Sequence, residues 1–309
     1  MLSPLSWRSH ALPSGLLVLM LALAAAPVRA QDPPRFQPRD PITGVRSRLN
    51  KDWIGLRLLP PTTPILVMAG HADSQGVGGA GTSGAAVARY GRQRMDASMT
   101  DELFWNLRVA QAVVALGQER GLAISFYDPP QRTIANPNDP RTTWSVGRAH
   151  VEAGGYALEI HHDAYGADGI GSGLIPPLRQ PLSRLDESLA EAFGAYPFRF
   201  RDGLGAPKRG IAILEIGKLE APLETALRDP LRGPEVINLL AQRIVEAMVR
   251  GLTPPADTEP GSQQASTTEG GALSSPGAIN PRPGAISPGP GGAGSDPAGS
   301  RPRASSGGG

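Results

Sequence analysis

Short apolar runs and amphipathic segments take turns along the middle of the chain, and this alternation limits the possible fold more than any other feature. Residues 64–69 (PILVMA), 122–127 (LAISFY), 156–161 (YALEIH) and 211–216 (IAILEI) read as strands bounded by glycine or proline. Residues 102–120 place Leu103, Leu107, Ala110, Val113 and Val114 on one helical face and stop at Gly121. Residues 141–153 and 185–193 also read as helices, and Pro234 opens a long amphipathic helix that reaches residue 250. Strands alternating with helices predict an α/β fold: one domain with a twisted, mostly parallel sheet flanked by helices on both faces.

Composition sets the limits of that domain. Residues 1–30 carry Arg8 and His10 ahead of an apolar run over 16–26, then Val28 and Ala30 at the positions a signal peptidase reads. They are expected to be a signal peptide, which places the protein in the periplasm or cell envelope; a retained anchor is the alternative if the site is not cut. The run is shorter than the roughly 20 residues that span a bilayer, and no later segment is apolar enough to be transmembrane. Residues 31–63, rich in Pro, Arg and Asp, form a lead-in with a short ordered piece around Trp53. The catalytic-sized domain occupies 64–252. From 253 to 309 the chain collapses to Pro, Gly, Ser, Ala and Thr, too poor in apolar surface to offset its ordering entropy, which predicts a disordered tail.

The sequence holds no cysteine, so disulfides, thiol catalysis and thiolate metal sites are excluded. The formal charge is +2 and the arginines are scattered among acids, which gives no nucleic-acid footprint.

In an open α/β sheet, ligands gather where strands end, and the scarce polar residues of this chain cluster there. His71 follows the first strand inside a glycine-rich loop, GHADSQGVGGAGTSG, which lacks the spacing and the lysine of a phosphate loop. Side-chain alternation puts His161 on one face of its strand with Glu159 and Asp163, and His162 on the other with Leu158 and Ile160. Glu102 opens a helix with Asn106 one turn further on; an acid there also suits the helix dipole. Glu215 interrupts the apolar strand IAILEI, where an unpaired carboxylate costs several kcal/mol, so it needs a partner or a task. Two histidines and a carboxylate suit a Zn²⁺ with an open position, and a further carboxylate supplies a general base; His71, Glu102, His161 and Glu215 would complete such a site.

The order and surroundings of these residues resemble the zinc-dependent N-acetylmuramoyl-L-alanine amidases of bacterial cell walls. The resemblance covers ILVMAGHADSQGVGGAG, then ELFWNL, then Arg148 and Ala149 ahead of EIHHDA, and last LEIGKLE before a C-terminal helix. It implies that His71, Glu102 and His161 ligate Zn²⁺, that Glu215 is the catalytic acid/base, and that peptidoglycan is the substrate. Asp163, in place of the family's usual Asn, the additional Glu159, and Asn106 are candidate substrate-binding residues. The interval from Asp163 to Glu215 is too short for the regulatory helix that some division-associated members carry, which predicts an unblocked cleft. A related zinc hydrolase of another N-acyl amino acid or peptide, or a non-catalytic wall-binding protein of the same fold, are the alternatives.

Overall fold

The computed structural model describes residues 39–254; the expected signal peptide, residues 31–38 and residues 255–309 of the tail lie outside the described residues. The elements in chain order are β1 (Ile65–Ala69), α1 (Gly84–Tyr90), α2 (Asp101–Glu119), β2 (Ile124–Tyr127), α3 (Thr143–Glu152), β3 (Tyr156–Asp163), β4 (Gly173–Ile175), α4 (Arg184–Phe193), α5 (Gly205–Lys208), β5 (Ala212–Lys218), α6 (Leu223–Arg228) and α7 (Arg232–Leu252). A 3-10 turn, Phe200–Asp202, precedes α5.

The strands form one sheet in the order β2-β1-β3-β5-β4, with β1, β2, β3 and β5 parallel and β4 antiparallel at one edge. Alternate residues of the strands feed opposite layers. Ile65, Val67, Leu158, Ile160, Ala212 and Leu214 pack under α2, α4, α6 and α7, while Leu66, Met68, Ala157 and Ile213 pack under α3 and α5. Being covered on both faces explains why the central strands read as continuous apolar runs. The expected α/β class, the mostly parallel sheet and the helices on both faces are what the chain forms.

Where the structure departs from expectation, the causes are local. β3 runs on through His162 and Asp163 because pairing with β5 resumes, after a register shift, at Asp163 and Lys218. α7 starts ahead of Pro234, which sits in the first turn, where a missing N–H leaves no intrahelical bond unmade. β4, α1, α5 and α6 escaped the pattern because each is too short to establish a period.

The described part of the lead-in packs on the domain. Trp53 is 6% exposed and its indole N–H donates to the Tyr196 carbonyl at 2.8 Å. Backbone bridges join Arg46 to Ser172 and Arg57 to Ser183. Replacing this anchor opens a cavity and orphans a buried carbonyl, so Trp53→Ala is expected to lower the unfolding free energy by about 3–5 kcal/mol in urea titrations. A loss of about 1 kcal/mol or less would mean that Trp53 is not an anchor of the lead-in.

Candidate metal centre

Strands β1, β3 and β5 end along the same edge of the sheet, so the residues that follow them meet. β1 gives out at Gly70, and a Cβ built there would fall 2.1 Å from Nε2 of His161. Only glycine lets the backbone of one strand pass so near the imidazole of the next. His71 follows with φ of 63°, a left-handed conformation seldom adopted by a residue of this size. Gln75 holds that turn: its side-chain N–H donates to the His71 carbonyl at 3.0 Å, and its Oε1 accepts the Thr100 N–H at 2.8 Å. Thr100 caps α2 through its hydroxyl, which accepts from the Leu103 N–H. The loop and the helix start are thereby tied together, with Glu102 in the first turn.

Glu102 is 3% exposed. Its Oε2 accepts the Thr82 N–H at 2.7 Å, which turns Oε1 toward the histidines. Oε1 stands 3.4 Å from His71 Nε2 and 3.4 Å from His161 Nδ1, and one ligand atom from each of the three residues lies within 4.8 Å of the others. Charge-assisted N–H···O bonds close to about 2.7–2.9 Å. Two ligand atoms about 2.1 Å from a common ion at the tetrahedral angle stand about 3.4 Å apart. Two imidazoles and a carboxylate also match the donor sets of catalytic zinc sites, so the residues present fit the ion. His71, Glu102 and His161 can hold a metal ion.

The electrostatics agree with that geometry. Burial would raise the Glu102 carboxyl, but His71 and His161, with the Thr82 N–H, hold it down to about 2. Burial would lower His161, yet hydrogen bonding to Glu102 and Glu159 lifts it well above the usual histidine range. His71 is lowered, by burial first and by His161 besides, against the pull of Glu102. Without a cation, then, a proton on His161 balances the carboxylates around it. Glu215 pairs in register with His161 on the neighbouring strand. Its Oε2 is buried without a partner, and burial pushes its carboxyl up to about 8, with Asp163 and Glu102 adding and His161 opposing.

The remaining candidates fall into different places. His162 points to the opposite face, as alternation predicts, and its Nδ1 lies 2.7 Å from Oδ1 of Asn106, whose amide N–H in turn donates to the Gly70 carbonyl. Asn106 is 0% exposed, so it stands behind the histidines and offers a substrate no surface. Asp163 borders the cleft, but its carboxylate accepts N–H bonds from Ala164, Ile170 and Gly171 and so ties down the loop between β3 and β4. Glu159 is 2% exposed, with Oε2 3.4 Å from Nε2 of His161. Arg148 lies on the outside of α3, paired with Glu152 at 3.4 Å. The ligand atoms open into a cleft of about 690 Å³, walled by Ile134, Pro137, Trp144 and Leu204 and edged by Arg201. Trp144, Arg201 and Gln75 are residues that the sequence reading did not single out; only the scarcity of tryptophan in the chain hinted at the first. α4, the longest helix between β3 and β5, packs against α7 on the far layer.

No protein-family model matches the sequence, and no curated protein does. Solved structures similar to it include the catalytic domain of an N-acetylmuramoyl-L-alanine amidase from Bacillus (Paenibacillus) polymyxa var. colistinus, at 15% identity and a TM-score of 0.41, over 60% of this chain and 97% of that one. Another is the apo form of an N-acetylmuramyl-L-alanine amidase from Mycobacterium abscessus, at 15% identity and a TM-score of 0.43, over 62% and 99%. A third is a putative N-acetylmuramoyl-L-alanine amidase from Neisseria meningitidis, at 15% identity and a TM-score of 0.40, over 62% and 97%.

The raised Glu215 carboxyl has a measurable consequence in chelator-treated protein. Its folded value, about 8, lies above its ordinary 4.5, so the stability it contributes is complete below about pH 4.5 and is lost as pH rises through about 8. Glu215→Gln, permanently neutral, avoids that loss. Scanning calorimetry is expected to put the variant's melting temperature several degrees above wild type at pH 8, the two converging near pH 5. Equal offsets at both pH values would show that the carboxyl is not held neutral by burial.

Proposed function

We propose that this chain is an exported zinc-dependent N-acetylmuramoyl-L-alanine amidase, hydrolysing the amide between the lactyl group of N-acetylmuramic acid and L-alanine in peptidoglycan. The observation that carries the reading is the meeting of His71, Glu102 and His161, from three distant segments, at ligand spacing beside Glu215. The motifs of the family occur around these same residues in the same order. Export rests on the residue 1–30 segment alone.

In this reading His71, Glu102 and His161 hold the ion. Bound zinc supplies polarisation of the scissile carbonyl and acidification of an attacking water. Glu215 takes the proton from that water as its oxygen bonds to the carbonyl carbon, then delivers it to the alanine nitrogen as the C–N bond breaks. A carboxyl raised toward neutrality suits both halves of that transfer. Asn106, through His162 and the Gly70 carbonyl, keeps the strand ends beneath the ligands in place. Trp144 and Leu204 supply the apolar wall against which substrate is held.

Purified protein beginning at Gln31 is expected to release dye from labelled sacculi, to stop when chelated and to recover with Zn²⁺. Mass spectrometry should find muramic acid with a free lactyl carboxyl and peptides with a new alanine amine. Glu215→Ala should keep its zinc and lose at least about 100-fold in kcat. Cleavage only of small N-acyl amino acids would move the activity to a related hydrolase, and wall binding with no soluble product would remove catalysis altogether.

A further inference from the structure

Glu159 is a buried acid for which the proposed reaction has no task. It sits in β3, the middle strand of the sheet, between Met68 of β1 and Ile213 of β5 in register. An acid placed there without a partner is destabilising by several kcal/mol. Its Oε2 faces Nε2 of His161 at 3.4 Å, at the long end of the hydrogen-bond range, and its Oε1 is buried with no partner among the described residues. The other ring nitrogen of His161, Nδ1, is the one turned to Glu102, 3.4 Å from its Oε1.

We infer that Glu159 is a positioning residue for the metal centre: its carboxylate accepts the Nε2–H of His161 and so presents Nδ1, unprotonated and fixed in direction, to the ion. The inference rests on the metal-centre reading and extends it. A neutral histidine exchanges between two tautomers in water, and a metal can use a nitrogen only when the proton is on the other. A carboxylate on the far nitrogen decides between them, holds the ring plane and makes the ligating nitrogen more basic. The close approach of Gly70 limits the ring from a second side, so His161 is held by strand packing and by charge together. Glu159 is unsuited to contact substrate, because almost none of its surface reaches the cleft. It is also unsuited to carry the reaction's proton, because it lies against Nε2, the nitrogen opposite the one that meets Glu102.

Zinc affinity separates this role from the others, read by competition with a chromophoric chelator on wild type, Glu159→Gln and Glu159→Ala. An amide oxygen still accepts the Nε2–H, so Glu159→Gln should stay within about threefold of wild type, whereas Glu159→Ala should bind about 10–100-fold more weakly. Thermal melts of the zinc-free proteins show whether each variant folds; should Glu159→Ala not fold, Glu159→Asp, which draws the carboxylate back from Nε2, takes its place with the same expected loss. Zinc affinity in Glu159→Ala, or in Glu159→Asp where that replaces it, equal to wild type overturns the inference. So does Glu159→Gln with wild-type affinity and no turnover, which would make Glu159 the proton carrier. If wild type itself binds no zinc, the metal-centre reading fails and this inference falls with it.

Discussion

An ionised carboxylate buried between two imidazoles has to be met by positive charge, and much of the domain is arranged around that requirement at Glu102. Its surroundings hold it in the charged form. Out of water, such a group is destabilising by several kcal/mol unless a cation compensates. The glycine-rich loop supplies one amide at Thr82, the capped start of α2 sets the position of the side chain, and β1 and β3 bring the histidines from the other side. Except for the local cap, each of these contacts joins segments distant in sequence, so the centre can form only when sheet, loop and helix are all in place.

That same dependence explains what could and could not be read from the residues alone. Runs such as PILVMA and IAILEI announced buried strands because both faces of the sheet are covered, and the periodicity of α2 announced its helix. Alternation along β3 correctly separated His161 from His162. It also keeps Asp163 beside the cleft with Glu159 and His161, but the hydrogen bonds that commit its carboxylate to the amides of the following loop, after a register shift, have no cue in HHDAYG. Asn106, a candidate substrate-binding residue one turn on from Glu102, lies buried instead. One turn of helix is enough to carry it from the cleft into the packed interior. Gln75 was illegible for another reason. Its task is to hold a left-handed turn at His71, and neither that conformation nor its partner at Thr100 has a local sequence cue.

The site is supported from behind as carefully as it is built in front. His162 and Asn106 form a buried pair that reaches the Gly70 carbonyl, linking β3, α2 and the end of β1 in one hydrogen-bonded chain. Burial lowers His162 to about 4, so at ordinary pH it is neutral and serves as a hydrogen-bonding partner, not as a charge. A charged imidazole there would repel His161, whose own charged form its acidic neighbours favour. Neighbouring histidines thus take opposite electrical roles because adjacent residues of a strand face different layers of the fold.

Counting charge around His161 explains why two further acids can share its face without being redundant. A divalent cation in the ligand cluster would offset the Glu102 charge and leave both imidazoles free to bind as neutral ligands. Glu215 then answers to a different environment. Its carboxyl, raised to about 8 by burial, is reinforced by Glu102 and Asp163. A divalent ion in the ligand cluster would offset the first of those charges and draw the carboxyl back down. A shift in that direction moves it toward neutrality, where a group can accept and return a proton with comparable ease. On the proposed reading Glu159, against His161 Nε2, keeps the ligand aligned, and Glu215 across the strand is left free to exchange its proton.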